Sequence, residues 1–188
     1  AEHDRYGHTA DGQRPAQRVQ AHDYAYCIVL ENIAYQYRST AISSDELAKK
    51  FEQGWENSPG HRKNMLDGDV TETGVAIARS EKSGYYYAVQ LFGRPRADSI
   101  DFEIVNRSGQ TVEYAIGENS LSLPPRLVRT HAMCRPSQVD FRLPSADASA
   151  KSPLKSVQPQ RGDRIVVEKA GDGIEVELVR PSQSAKSS

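Results

Sequence analysis

The stretch that most restricts the fold is residues 43–55, SSDELAKKFEQGW. Leu47, Phe51 and Trp55 recur every fourth residue with Ala48 beside them, so a helix here carries a bulky apolar stripe on one side and charge on the other. Ser43 followed three residues later by Glu46 is a capping-box start. A helix of this length is marginal alone and needs an apolar surface to cover. Further along stands TGVAIARSEKSGYYYAVQLFG, two alternating runs joined at Ser83–Gly84. The alternation predicts a β hairpin with Val75 and Ile77 on one strand and Tyr85, Tyr87, Val89 and Leu91 on the other. Upstream, Pro15 opens a short candidate helix, PAQRVQAHDY, and the apolar run CIVLENIAYQY is interrupted by Glu31 and Asn32. Helices beside an antiparallel hairpin make this half α+β.

After GRPRADS the pattern changes to short strands and turns. IDFEIVN and TVEYAI flank residues 107–110, DRIVVEK and IEVELV flank residues 170–173, and both pairs read as hairpins. A small all-β unit of six or seven strands follows, most simply an immunoglobulin-like sandwich. The Pro-, Ser- and Ala-rich residues 144–160 read as a long mobile loop and residues 182–188 as a disordered tail. The expected units are therefore 1–95 and 98–181. Aromatic usage supports two units, because Trp55 and eight of the nine tyrosines precede Tyr114.

Charge restricts function. The 24 Lys and Arg against 25 Asp and Glu leave a net charge of -1, spread evenly over both halves, so no one-signed field recommends nucleic acid. No stretch approaches the roughly 20 apolar residues of a membrane helix. Cys27 and Cys134 are too far apart for a zinc knuckle. Two readings stay open for them, one disulfide in an oxidising compartment or two buried thiols.

The chemistry centres on WENSPGHRKNML, residues 55–66. Ser58 can cap a short helix, Pro59 suits its first position, and Met65 and Leu66 can face a core. His61 then falls in the first turn, where the positive end of the helix favours a neutral imidazole. His8, in YGHTADG, and Glu31, in LENIAYQY, also lie where structured runs begin or break. Two imidazoles and a carboxylate can hold a divalent cation with an open position, or perform acid–base chemistry without one. His3, His22 and His131 read as surface or loop histidines, Glu52 and Glu56 as solvated helix charges, and Arg62 as either a partner of the site or an exposed cation.

GHTADGQRP, LENIAYQY, WENSPGHRKNML and TGVAIA with YYYAVQLFG stand in the order and approximate spacing of the CAP superfamily of cysteine-rich secretory, antigen 5 and pathogenesis-related proteins. Residues 1 to about 94 resemble its bacterial branch. The resemblance implies an α–β–α sandwich around a cleft with a tetrad of two His and two Glu, which in some members binds a divalent cation such as zinc. His8, Glu31 and His61 fall on three tetrad positions. The fourth departs, since Ser58 stands where the family has its second Glu. Family members also carry a helix before the first histidine, and the expectation here is a fragment lacking it.

The resulting expectation is a monomeric, exported bacterial CAP-domain protein, secreted or periplasmic. Its cleft would bind a lipid, peptide or cell-envelope ligand, with His8 and His61 able to hold zinc or another divalent cation. The alternative is a metal-dependent peptidase or esterase in which His8 and His61 hold the metal and Glu31 is the base. No Gly-x-Ser-x-Gly elbow accompanies the histidines, which speaks against a serine hydrolase.

Overall fold

The computed structural model describes residues 5–40, 42–142 and 155–181. His3 and the tail at 182–188 lie outside them, as does most of the expected loop at 144–160. The last part of that loop is ordered: Lys155–Val157 is a strand. The chain divides into two compact units, residues 1–98 and 99–188.

The first unit runs α1 (Pro15–Ala21), β1 (Tyr26–Tyr37), α2 (Ser44–Glu56), α3 (Pro59–Met65), β2 (Glu72–Arg79) and β3 (Tyr85–Pro95). The three strands form one antiparallel sheet in the order β1–β3–β2, with the expected β2–β3 hairpin. Ser43 caps α2 by accepting the Glu46 N–H at 3.2 Å. Leu47, Phe51 and Trp55 are buried against Ala88, with Ala34, Tyr86 and Met65 beside them. Each such side chain is worth about 1.5–3 kcal/mol of burial, which fixes α2 to this face. Trp55 anchors it at 3% exposure, although its indole N–H finds no partner among the described residues. Leu66 departs from expectation: it sits at the C-cap of α3, beyond the last turn that packs, and is exposed.

Side chains alternate across a strand. On β1, Ile28, Asn32 and Ala34 take the α2 face, whereas Val29, Glu31 and Ile33 take the other, beside Leu91 and Val89 of β3. Helix α1 lies over that second face, so helices flank the sheet on both sides. Tyr85 and Tyr87 share this face with Tyr6, Tyr35 and Tyr37 in a cluster of edge-on and tilted rings, while Tyr86 turns to the α2 core. The five rings therefore pack mainly on one another.

The second unit holds β4 (Ile100–Asn106), β5 (Val112–Ile116), β6 (Asn119–Leu123), β7 (Val128–Met133), β8 (Val139–Arg142), β9 (Lys155–Val157), β10 (Arg164–Ala170) and β11 (Gly173–Val179). They form two four-stranded sheets, β11–β10–β4–β7 and β6–β5–β8–β9, around a single core that includes Phe102, Ile104, Tyr114, Phe141, Ile165 and Val167. The β10–β11 hairpin is as expected. The expected β4–β5 hairpin does not form, because β4 and β5 belong to different sheets. The turn between them crosses the sandwich edge, and buried Asn106 holds it there. Its amide donates to Gln110 O and Leu123 O, both at 2.8 Å, and its carbonyl accepts from Ser108 N at 3.0 Å and Ser108 Oγ at 2.7 Å. The unit is a two-sheet β sandwich, but immunoglobulin topology is not confirmed: the first strand, β4, pairs in parallel with β10.

His131 is not a plain surface residue. Its Nε2 meets Tyr114 Oη at 2.8 Å, its ring stacks on Phe102, and Arg129 donates to the same hydroxyl at 3.3 Å. Burial, and then the Arg129 charge, hold this imidazole below its ordinary value of 6.5. The fold therefore favours neutral His131, and an unfolded chain binds the proton more readily. Stability from this group is complete above about pH 6.5 and falls as pH drops below that value and through the lowered folded one. Melting curves between pH 5 and 7 should show this slope in the parent and a flatter one in His131→Gln; equal slopes would refute the assignment.

Candidate functional site

The site begins with Glu31, which the alternation of β1 points away from the α2 core. Its side chain is only 3% exposed, yet both carboxylate oxygens are engaged. His8 Nδ1 lies 2.7 Å from Oε1, and Arg18 Nη2 from α1 donates to Oε2. The other terminal nitrogen of Arg18 donates to His8 O at 3.1 Å, Asp11 Oδ1 at 3.1 Å and Gln13 O at 2.9 Å. One guanidinium thus fastens the loop of residues 8–13 to the carboxylate that orients His8. The Gln13 N–H chiefly, with Arg18, holds the Asp11 carboxyl below its usual range. With Nδ1 committed to Glu31, His8 has Nε2 without a partner among the described residues, and the residue is exposed. A carboxylate on one ring nitrogen and an open second nitrogen is the arrangement that fixes tautomer and orientation in acid–base and metal-ligating histidines.

Beside this chain of contacts lies a groove of about 530 Å³ between α1 and the sheet. Its floor is Val29, Val89 and Leu91, with the bare backbones of Gly74 and Gly93, and Arg18 and Glu31 form one wall. Tyr24 closes the far end. The hydroxyl end of its ring lies over Gly93, where a Cβ would approach Cζ to 3.0 Å and Oη more closely still, so a larger residue there would have to displace the ring. Tyr24 Oη donates to Glu72 Oε2 at 2.5 Å; burial, and then that carboxylate, push the phenol up to about 12. A smaller hollow of about 290 Å³ on the same face also reaches Arg18 and Glu31.

His61 is placed differently. It lies in the first turn of α3 as expected, behind Pro59 at the first position, but Ser58 makes no side-chain cap bond. Asn32 Nδ2 donates to the His61 carbonyl at 3.1 Å and to Gln90 Oε1 at 3.2 Å, and Asn64 Nδ2 donates to Asn32 Oδ1 at 2.9 Å. Glu31 and Asn32 are consecutive and point to opposite faces, so the carboxylate reaches His8 while the amide holds the backbone of His61. Among the described residues no three His, Cys, Asp or Glu side chains gather as a metal cluster. Among these residues the expected set of His8, Glu31 and His61 is therefore not gathered as a three-ligand site. Glu52, Glu56 and Arg62 are exposed, so neither Glu replaces the missing tetrad member.

The sequence reading missed Arg18 and the three amides. Asn32, Asn64 and Gln90 did carry a signal, as uncharged polar residues inside the motif segments. Arg18 carried none, because its partners are joined to it only by tertiary structure. Both cysteines are disulfide-bonded, so the buried-thiol reading falls.

A three-stranded sheet flanked by helices on both faces, with a histidine–carboxylate pair in a cleft at one face, defines a small α+β domain. Residues 1–92 match the family described as CAP, the cysteine-rich secretory protein family, and this N-terminal segment belongs to it. No curated protein matches the chain. Among solved structures, the C-terminal domain of AlgF from P. aeruginosa aligns at 17% identity with a TM-score of 0.34, covering 45% of this chain and 99% of that one.

Proposed function

We propose that this is an exported bacterial CAP-domain protein whose first unit is a binding module for an amphipathic ligand outside the cytoplasm, in secreted form or at the cell envelope. The ligand, lipid-like or a peptide with an apolar side, lies on the Val29–Val89–Leu91 floor with its polar end towards Arg18 and His8. The observation that carries this reading is the contact chain from Arg18 through Glu31 to His8 beside an apolar groove. Such a site anchors a polar head while burying an apolar body. The metal-dependent hydrolase reading is less well supported, because the Glu31 carboxylate is buried and already engaged with His8 and Arg18 rather than presented to the groove as a general base.

Titration of a fluorescent fatty-acid probe into the full chain tests the reading. Saturable binding should weaken at least tenfold in Leu91→Arg, which puts charge on the floor, with the circular dichroism spectrum unchanged. Equal binding by both proteins would overturn it. Calorimetry with zinc on the same samples separates the readings: tight one-to-one binding lost in both His8→Ala and His61→Ala would favour the metal-dependent enzyme instead.

A further inference from the structure

Tyr24 crosses the groove from wall to wall. Its backbone belongs to the α1 side: the Tyr24 N–H donates to Val19 O at 3.0 Å, and Asp23, in the left-handed region at φ 58°, turns the chain off the end of α1 towards the sheet. A residue other than glycine rarely adopts that conformation, so this turn is held by the contacts around it. The Tyr24 hydroxyl belongs to the β2 side, where it donates to Glu72 Oε2 at 2.5 Å. Between the two anchors the ring passes over Gly93 of β3, so close that a Cβ there would meet Cζ at 3.0 Å. The loop after α1, β3 and β2 together build a bar across this end of the sheet face.

The strand register sets the bar against the rest of the site. Val29, Gly93 and Glu72 form one row across the three strands, and Glu31, Leu91 and Gly74 form the next row on the same face. The bar lies over the first row, and Glu31, which orients His8, stands in the second. Two hollows meet at Arg18 and Glu31, and the larger, of about 530 Å³, is the one that runs to Tyr24. An apolar body whose polar end sits at Arg18 and His8 fills the larger hollow past Leu91 and Val29, and its far end meets the Tyr24 ring. Glu31 and Glu72 are two strands and two residues apart, roughly 12 Å. An extended alkyl chain covers that distance in about ten carbons, given C–C bonds of about 1.5 Å. We propose that the Tyr24–Glu72 pair, seated on Gly93, is the end stop that sets ligand length in this groove, so that methylenes beyond about ten carbons gain no burial. The inference rests on the ligand reading above and adds to it the residues that determine specificity for chain length.

Competition against the fluorescent fatty-acid probe tests it on the full chain. Each buried methylene raises affinity about fourfold, so a series of saturated fatty acids from roughly six to eighteen carbons reads out where burial ends. In the parent, affinity should climb with length and level off near about ten carbons. Tyr24→Ala removes the bar, and its affinity should keep climbing, to at least tenfold above the parent's for the longest chains, with short-chain binding and the circular dichroism spectrum unchanged. Glu72→Ala, at an exposed position, keeps the ring but frees its hydroxyl, and should raise long-chain affinity at least threefold. A purely structural role for Tyr24 would instead weaken all lengths alike. That uniform loss, a parent whose affinity climbs without levelling off, or the same plateau in both variants would each overturn the end stop and leave the ligand reading standing. No saturable binding by the parent at any length would overturn the ligand reading and the end stop with it.

Discussion

Replacing Asn106 by alanine should lower the melting temperature of the second unit by roughly 15 °C, the shift expected for a loss of about 3 kcal/mol in a domain of this size. The side chain is fully buried and makes four hydrogen bonds. Alanine leaves Leu123 O, Gln110 O and Ser108 N without this partner where water has little access. An unmade buried hydrogen bond costs more than a made one contributes. The site also lacks the freedom to relax, because the turn it closes carries the chain from one sheet to the other. Ser108→Ala, which removes one of the four partners, should cost only about 1 kcal/mol. Thermal denaturation of the three proteins decides the matter; a melting point for Asn106→Ala within a few degrees of the parent would show that the turn holds itself.

The second large effect is expected at Glu31. Glu31→Gln keeps the shape of the side chain but removes the charge opposite Arg18 and one of the two acceptors. Breaking a buried ion pair from one side costs about 3–5 kcal/mol. Arg18 retains 26% exposure and can recover some hydration, so about 2 kcal/mol is the better figure here. The consequence for His8 is separate from stability. Without a carboxylate on Nδ1 the ring loses its fixed orientation and tautomer, while the loop of residues 8–13 keeps the contacts of Arg18 to His8 O, Gln13 O and Asp11 Oδ1. A lowered melting point together with averaged His8 ring signals in NMR would bear this out; a rigid His8 ring in Glu31→Gln would show that the loop, rather than the carboxylate, orients it. Arg18→Gln should loosen the same loop while leaving the His8–Glu31 contact possible, which separates the roles of the two residues.

Several elements were legible before any coordinates. The α2 stripe of Leu47, Phe51 and Trp55, the cap at Ser43, the helix opened by Pro59, and the β2–β3 and β10–β11 hairpins follow from local periodicity and turn chemistry, which act between residues close in the chain. The family of the first segment was legible as well, because its motifs are short and ordered. The β4–β5 connection was misread for a physical reason: a Ser-Gly turn between two strands permits a hairpin but does not require one. Asn106, three residues before Gly109, pulls the turn across the sandwich through contacts to Leu123 that no local pattern reveals.

The sequence by itself determined the α2 and α3 helices and the β2–β3 and β10–β11 hairpins, the change of texture near residue 98, and the family of the first segment. Tertiary structure alone decided which of these meet. Consecutive residues on a strand point to opposite faces, so Glu31 and Asn32 were bound to serve different partners, and only the placement of α1 and α3 assigned His8 and Arg18 to one and the His61 backbone to the other. The strand order likewise left β2 as an open edge, because pairing is chosen among segments far apart in the chain, by register and by the face each must bury.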